Sequence, residues 1–257
     1  PGWYQELRIA LKRPVRNLLY GEHDAAMGRE RVSYELDRYR EWLRAGMSVP
    51  RLVETPLRNV RIIEGLPYPT LYTLLNDVNV SQERKLHAVR VGLRALVHQH
   101  HVAQAWGSKG LVHREPGPWN MLVDLSNEAV YWYDLEQPAD SPGMSMEDMK
   151  VRGLRMFVVG VLEYLPDQLD EVLAIVVQEY PDQALLRRLA ESLLKSVRSL
   201  PQRVAQRLGL RKGRVARQRL IALRLLALVG DGAGEAGRVR SAIRGAGDAA
   251  DSTRNAA

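Results

Sequence analysis

The composition of this 257-residue chain narrows the kinds of site it can carry. It has no cysteine, which excludes disulfides, thiolate metal sites and cysteine nucleophiles. It also has no uninterrupted apolar run of the roughly 20 residues that span a bilayer. The net charge is +7, but the segment from Arg187 to Arg224 holds twelve basic residues and one acidic residue. That segment therefore carries +11 and the remainder −4, so the basic character is local.

The N-terminal part of the sequence predicts a strand and then a helix. Apolar and polar residues alternate over residues 7–11, as in a β-strand, and Lys12 follows at its end. Apolar residues recur at three- and four-residue spacing over residues 29–44, which is typical of an amphipathic helix. Gly46 is placed to end that helix.

The next part of the chain predicts a connector between helices. Residues 58–64 form a short β-like run, and Gly65, Pro67 and Pro69 then favour an irregular connector. A short helix is expected to start at Leu71. A long helix is expected over residues 82–104, where apolar residues line one side.

A loop rich in Gly and Pro, residues 109–120, precedes a predicted hairpin. Two short apolar runs, residues 121–123 and 129–133, are separated by polar residues, as in two paired strands. Residues 146–228 predict about four helices. Residues 230–257 have no aromatic residue and much Gly and Ala, so a disordered tail is expected.

Two carboxylates and a carboxamide are placed where this loop and hairpin could bring them together. Glu115 and Asn120 lie five residues apart on the loop, and Asp134 follows the hairpin. Phosphoryl transfer needs such a set, because one acidic group orients the attacking hydroxyl while an amide oxygen and a second carboxylate hold Mg²⁺. His113 is expected to brace the loop through hydrogen bonds.

These residues resemble the protein-kinase catalytic loop. The segment from His113 to Asn120 is similar to H-x-D-x-x-x-x-N, and Tyr133-Asp134-Leu135-Glu136 is similar to the following D-F-G turn. The segment resembles that of small atypical bacterial kinases, namely the lipopolysaccharide and Kdo kinase group and the Bud32-like and RIO-like families. The similarity spans about residues 7–165.

The resemblance implies an α+β, protein-kinase-like two-lobe fold with a reduced N-terminal lobe and a helical C-terminal lobe. The N-lobe would be residues 1–65, with an αC-like helix that contains Glu35. The C-lobe would be residues 66–229, in which a long helix leads to the catalytic loop. Residues 230–257 would be the tail.

The resemblance also implies a role for each candidate residue. Glu115 would orient the acceptor hydroxyl, and Asn120 and Asp134 would hold Mg²⁺. The cofactor-binding residues for ATP would be a lysine that anchors the phosphates, its ion-pair partner and a hinge residue beside adenine: Lys12, Glu35 and Glu64.

The implied function is ATP- and Mg²⁺-dependent phosphorylation of a hydroxyl on a cell-envelope sugar or lipid-linked sugar. The lack of cysteine and of a secretory signal in residues 1–16 fits a cytoplasmic location. The basic, amphipathic residues 210–224 have three interpretations. They could form a solvated helix face, a peripheral contact with the inner face of the membrane, or a contact with nucleic acid, which is the least favoured.

Three departures from the kinase pattern support alternative functions. Glu115 stands in place of the catalytic aspartate, too little chain precedes Lys12 for a Gly-rich loop, and Gly153 replaces a helical aspartate. A pseudokinase that serves as a binding or scaffold module is therefore one alternative. A Bud32-like kinase or ATPase in a tRNA-modification complex is the other.

Overall fold

The computed structural model of the protein is α+β and mostly helical over the part that it describes. The described residues are 29–53, 62–135, 143–198 and 212–230. The chain divides into two compact units, one ending at Tyr164 and one beginning at Leu165. The predicted N-terminal strand, Lys12 and all but the first residue of the predicted tail lie outside the described residues.

Helix α1, Arg29–Arg44, has the predicted bounds and ends at the predicted glycine. The Gly46 N–H donates to the Leu43 carbonyl at 3.1 Å, and the Met47 N–H donates to the Trp42 carbonyl at 2.9 Å. This pairing satisfies the last carbonyls of the helix and requires a left-handed residue, which Gly46 supplies with a φ of 74°. The helix therefore stops at a place that its own sequence determines.

The connector and the next helices agree with the sequence prediction where they are described; residues 58–61 of the predicted β-like run lie outside the described residues. Strands β1, Leu52–Val53, and β2, Ile62–Ile63, pair antiparallel. Helix α2 spans Leu71–Asn76 and helix α3 spans Gln82–Trp106. The side chains of Thr70 and Ser81 accept hydrogen bonds from the first turns of α2 and α3, so each helix has an N-cap.

The predicted hairpin forms in the first unit, the one that ends at Tyr164. Strands β3, Met121–Asp124, and β4, Ala129–Trp132, pair antiparallel. On the β4 side, the Trp132 N–H donates to the Ser48 carbonyl just after α1. On the β3 side, the Val123 N–H donates to the Pro69 carbonyl just before α2, and both bonds are 2.9 Å. The hairpin thus joins the end of α1 to the connector.

The C-terminal half of the described chain forms the four predicted helices. Helix α4, Met146–Tyr164, belongs to the first unit. The second unit contains α5, Leu169–Glu179, α6, Gln183–Arg198, and α7, Lys212–Val229. None of the helices in the described ranges combines the length and apolar character of a membrane-spanning segment.

Helix α7 carries the basic segment and packs against α5 and α6. Ile221, Ala222 and Leu225 are buried, whereas Arg217 and Arg219 are exposed. One face of the basic helix therefore closes the core of the second unit, and its arginines lie on the other face.

Candidate active site

A buried histidine connects the loop to the turn that carries Asp134. His113 is 2% exposed. Its Nε2 donates to the Tyr133 carbonyl at 2.9 Å, and its Nδ1 accepts the Glu115 N–H at 3.1 Å. A carbonyl can only accept and a backbone N–H can only donate, so these two bonds require the neutral Nε2–H tautomer. His113 therefore braces the loop, as the sequence predicts.

The surroundings of His113 keep it neutral. Burial lowers the pKa of His113 to about 3, and the nearby positive charge of Arg38 acts in the same direction, while the bond to the Tyr133 carbonyl opposes them. The ring lies 5.9 Å from the Trp42 ring and 5.3 Å from the Trp132 ring. An imidazolium packed against these two rings would lose its hydration without gaining an anionic partner among the described residues.

This burial predicts a dependence of stability on pH. Below the ordinary histidine pKa of 6.5, the unfolded chain binds a proton at His113 that the folded chain does not bind until about pH 3. The free energy of unfolding should therefore fall as the pH drops through this window, by up to about 1.4 kcal/mol per pH unit from this group. His113→Gln should remove that part of the slope in urea unfolding measured between about pH 7 and pH 5.

The control for this measurement is His98→Gln, which changes an exposed histidine on α3. Its pH slope should match that of the wild type. His100, which burial also holds neutral, contributes equally to all three proteins. An unchanged slope in the His113 variant would show that this imidazole is protonated in the folded state.

Asn120 is buried and its amide has a defined orientation. Its Nδ2 donates to the Glu115 carbonyl at 2.9 Å. Because that acceptor requires an N–H donor, the Oδ1 atom must be the one that points away from the Glu115 carbonyl. Oδ1 accepts no hydrogen bond from any residue in the described ranges. An amide oxygen presented in this way is a hard ligand of the kind Mg²⁺ prefers.

Asp134 sits on a backbone conformation that few non-glycine residues adopt. Its φ is 61°, in the left-handed region, and such residues are frequent at functional sites. The peptide groups on both sides are held: the Tyr133 carbonyl accepts from His113, and the Leu135 carbonyl accepts from Arg38 at 2.9 Å. The Asp134 carboxylate accepts no hydrogen bond in the part of the chain that the structure describes.

The structure brings the backbones of the three candidate catalytic and metal-binding residues into one network. The Glu115 carbonyl accepts from Gly117 N–H at 2.7 Å as well as from Asn120. The Tyr133 N–H donates to the Asn120 carbonyl at 3.4 Å, which places the start of the Asp134 turn beside the loop. The Glu115 side chain is half-buried and makes no hydrogen bond or ion pair within the described chain.

Helix α1 contributes a residue that sequence analysis missed. Arg38 is 4% exposed and donates to the carbonyls of Gly110, Val112 and Leu135 at 2.9–3.2 Å. Burial lowers the pKa of Arg38 to about 10, so the guanidinium is still charged at neutral pH. No local signal pointed to it, because residue 38 is not part of the apolar spacing that the sequence shows over residues 29–44.

The predicted cofactor-binding residues are only partly placed. Glu35 is buried on α1, one turn before Arg38, but its predicted ion-pair partner Lys12 lies outside the described residues. The Glu64 side chain is exposed, and its N–H donates to the Arg51 carbonyl at 2.8 Å. That N–H serves the β1–β2 pair and is not available to a ligand.

The loop rests directly on α4 because that helix presents glycine to it. A Cβ atom at Gly160 would lie 2.8 Å from Pro118 Cδ. A Cβ atom at Gly153 would lie 3.3 Å from Pro116 Cγ and 3.7 Å from the His113 carbonyl oxygen. Gly153, which replaces the aspartate expected from the kinase pattern, thus lies beneath the loop.

The candidate metal ligands are one amide oxygen and one carboxylate. No group of three or more His, Asp or Glu residues within the described ranges is arranged to hold a metal ion. Mg²⁺ suits a pair of protein ligands, because it usually keeps water and takes phosphate oxygens from the substrate. Asn120 and Asp134 therefore fit a Mg²⁺–nucleotide better than a metal held by protein alone. Comparison with protein-family models, curated proteins and solved structures finds no match to this chain.

Proposed function

We propose that the chain is an ATP- and Mg²⁺-dependent phosphotransferase of the protein-kinase-like fold that acts on a hydroxyl of a cell-envelope sugar. The observation that carries this proposal is the pair of hydrogen bonds at His113, which donates to the Tyr133 carbonyl and accepts from the Glu115 N–H and so links the Glu115 loop to the Asp134 turn. Hydrogen bonds of this kind fix the backbones of the loop and the turn without a bound ligand, and preorganisation is the main contribution of a protein to phosphoryl transfer.

The order of the elements supports a two-lobe kinase-like arrangement. An amphipathic helix is followed by an antiparallel strand pair, a connector, a long helix, the polar loop and a hairpin that ends in Asp134. The same order is implied by the resemblance to atypical bacterial kinases. In this interpretation residues 1–65 form a reduced N-lobe and residues 66–229 form the C-lobe.

Each residue then has a defined chemical task. Asn120 Oδ1 and the Asp134 carboxylate would hold Mg²⁺, which neutralises charge on the phosphates of bound ATP. The Glu115 carboxylate would accept the proton of the acceptor hydroxyl. At the same time the hydroxyl oxygen would bond to the γ-phosphorus of ATP, and the bond between the γ-phosphorus and the bridging oxygen of the β-phosphate would break. ADP leaves with that oxygen. Lys12, paired with Glu35, would fix the α- and β-phosphates, and the segment at Glu64 would border adenine.

The envelope acceptor follows from the family likeness, with some support from α7. A phosphotransferase for a lipid-linked sugar would work in the cytoplasm beside the inner face of the membrane. The exposed arginines of α7 could bind the anionic headgroups there, each adding about 1 kcal/mol near such a surface.

A binding module without efficient transfer is the second candidate. Glu115 in place of aspartate and Gly153 beneath the loop favour this pseudokinase, because both change the groups that would act on or support the acceptor hydroxyl. A Bud32-like ATPase that works with a tRNA-modification partner is the remaining alternative, and co-purification with such a complex would favour it.

Thermal unfolding with and without Mg²⁺-ATP tests the proposed nucleotide site. At about 100 times the dissociation constant, the ligand should stabilise the folded protein by roughly 2.7 kcal/mol, a rise in the unfolding temperature of roughly 5–10 °C. Asp134→Asn should abolish the shift, because the amide removes the negative charge. Asparagine also tolerates the left-handed backbone at this position, so folding should be preserved.

The matched control is Asp37→Ala, which removes an exposed carboxylate from α1 and should leave the shift intact. A folded wild-type protein that shows no shift would count against a working phosphotransferase. An equal shift in wild type and Asp134→Asn would place the nucleotide elsewhere.

A further inference from the structure

We propose that the exposed indole of Trp119 is the platform on which the acceptor lies, and that the acceptor part it binds is a pyranose ring. This inference rests on the proposed phosphotransferase function and adds a specificity-determining residue to it. It derives from the position of Trp119 on the loop, from the residues that its indole packs against, and from an Nε1–H that makes no hydrogen bond within the described chain.

Trp119 occupies the short 3₁₀-helix Pro118–Asn120, between the candidate catalytic residue and the candidate metal ligand. The hydrogen bond from Asn120 to the Glu115 carbonyl closes this loop, so Trp119 belongs to the same small ring of residues as Glu115. Its side chain is 37% exposed although its neighbours Pro118 and Asn120 are buried. This puts a partly solvent-exposed aromatic ring on the same loop as Glu115.

The indole lies against Gly117 and near Gly160, two residues without side chains. A Cβ atom at Gly117 would lie 2.5 Å from Trp119 Cζ2, so only glycine fits there. A Cβ atom at Gly160 on α4 would lie 3.7 Å from Cζ3. The Tyr133 hydroxyl donates to the Trp119 carbonyl and fixes its backbone. A ring restrained in this way loses little entropy when a ligand stacks on it.

The chemistry of the exposed groups selects a sugar ring. The face of an indole is electron-rich and attracts polarised C–H groups, which a pyranose presents on one side of its ring. The Trp119 Nε1–H makes no hydrogen bond within the described chain and is free to donate to a ring hydroxyl. The Glu115 carboxylate, also without a partner there, can accept from another hydroxyl. An open-chain polyol offers the hydroxyls but no ring face.

Saturation-transfer NMR without nucleotide tests this platform directly. The probes are methyl glucopyranoside and methyl mannopyranoside, compared with the open-chain alditols glucitol and mannitol. The pyranosides should show saturation of their C–H protons and the alditols should not. Trp119→Ala should weaken pyranoside binding at least about fivefold, since loss of an aromatic contact costs about 1 kcal/mol or more. Trp119→Phe, which keeps a ring face and loses the N–H, should retain part of the binding.

The matched control is Trp106→Ala, because Trp106 is 54% exposed but lies at the end of α3, outside the loop. It should bind as the wild type does. The platform is refuted if no pyranoside binds, if alditols bind equally well, or if the Trp119 variants bind unchanged. If the alanine variant does not fold, the phenylalanine variant and the alditol comparison still test the platform.

If this test fails while Mg²⁺-ATP still stabilises the protein, the role of Trp119 is wrong but the proposed phosphotransferase is not affected. Pyranoside binding without any nucleotide shift would support the platform and remove the phosphotransferase.

Discussion

Replacing Arg38 by Met should lower the free energy of unfolding of the first unit by about 3–5 kcal/mol. The guanidinium donates to the carbonyls of Val112 and Leu135 in buried hydrogen bonds and to the Gly110 carbonyl in a partly buried one. Methionine fills a similar volume but donates nothing, so the buried carbonyls of Val112 and Leu135 would lose their charged donor, whereas the Gly110 carbonyl keeps the Trp42 Nε1–H at 2.9 Å. Each buried acceptor left unpaired costs roughly 1–3 kcal/mol.

The measurement is urea unfolding followed by tryptophan fluorescence. Every tryptophan of the chain precedes Tyr164, so the signal reports on the first unit: Trp3, Trp42, Trp106, Trp119 and Trp132. Arg40→Met on the same helix is the control, because Arg40 is exposed and its ion pair with Asp37 at 3.3 Å is solvated. That change should stay within about 0.5 kcal/mol of wild type. Equal losses in the two variants would contradict the role assigned to Arg38.

Arg38→Lys separates charge from geometry. Lysine keeps the positive charge but has a single ammonium, which cannot reach carbonyls on the loop and on the Asp134 turn as a planar guanidinium does. We therefore expect the free energy of unfolding of Arg38→Lys to lie between that of the wild type and that of Arg38→Met. Complete recovery with lysine would indicate that charge alone, and not the fork of donors, holds the loop to the turn.

The elements that the sequence predicted well are those whose limits are set locally. Residues 29–44 have a helical apolar period, and Gly46 supplies the left-handed residue that ends α1. The β3–β4 hairpin shows two short apolar runs with a polar turn between them. Period and turn chemistry can be read from neighbouring residues, so these features did not require knowledge of the fold.

The features that the sequence did not reveal depend on contacts between distant residues. The partners of Arg38 lie 72 to 97 positions away, and no local pattern indicates them. The need for glycine at Gly160 arises only because Pro118 lies against α4. The loop residues Glu115 and Asn120 were recognisable by type and spacing, but the orientation of the Asn120 amide follows from a hydrogen bond that only the folded loop contains.

These long-range contacts share one property that bears on function. Arg38 and His113 each bind a carbonyl next to Asp134, one from each side, while both also bind groups of the loop at residues 110–115. Movement of α1 away from the loop would therefore release the Leu135 carbonyl and free one side of the Asp134 turn. The position of the helix and the geometry of the candidate metal site are therefore coupled through Arg38.

Glu115→Asp is the change with the largest expected effect on activity. If the chain is a phosphotransferase with a misplaced base, shortening the side chain by one methylene should raise the transfer rate by about 100-fold, because a misplacement of about 1 Å can cost that factor. The backbone cannot absorb the extra length. The Glu115 N–H is bound by His113 Nδ1, and its carbonyl is bound by both Gly117 and Asn120.

The assay is transfer from radiolabelled ATP to the pyranosides that bind in the NMR experiment, with Asp134→Asn added to Glu115→Asp as the control that should lose the gain. Glu128→Asp, on an exposed residue of the hairpin turn, is the matched change that should have no effect on the transfer rate.

A large gain in the transfer rate would identify Glu115 as a displaced base in a site that is otherwise complete. A loss of rate on shortening would mean that the loop places the longer carboxylate correctly, so the wild-type chain is already adapted to its acceptor. Absence of transfer in both forms, with nucleotide still bound at Asp134, would favour the pseudokinase, in which the same braced loop serves recognition instead of chemistry.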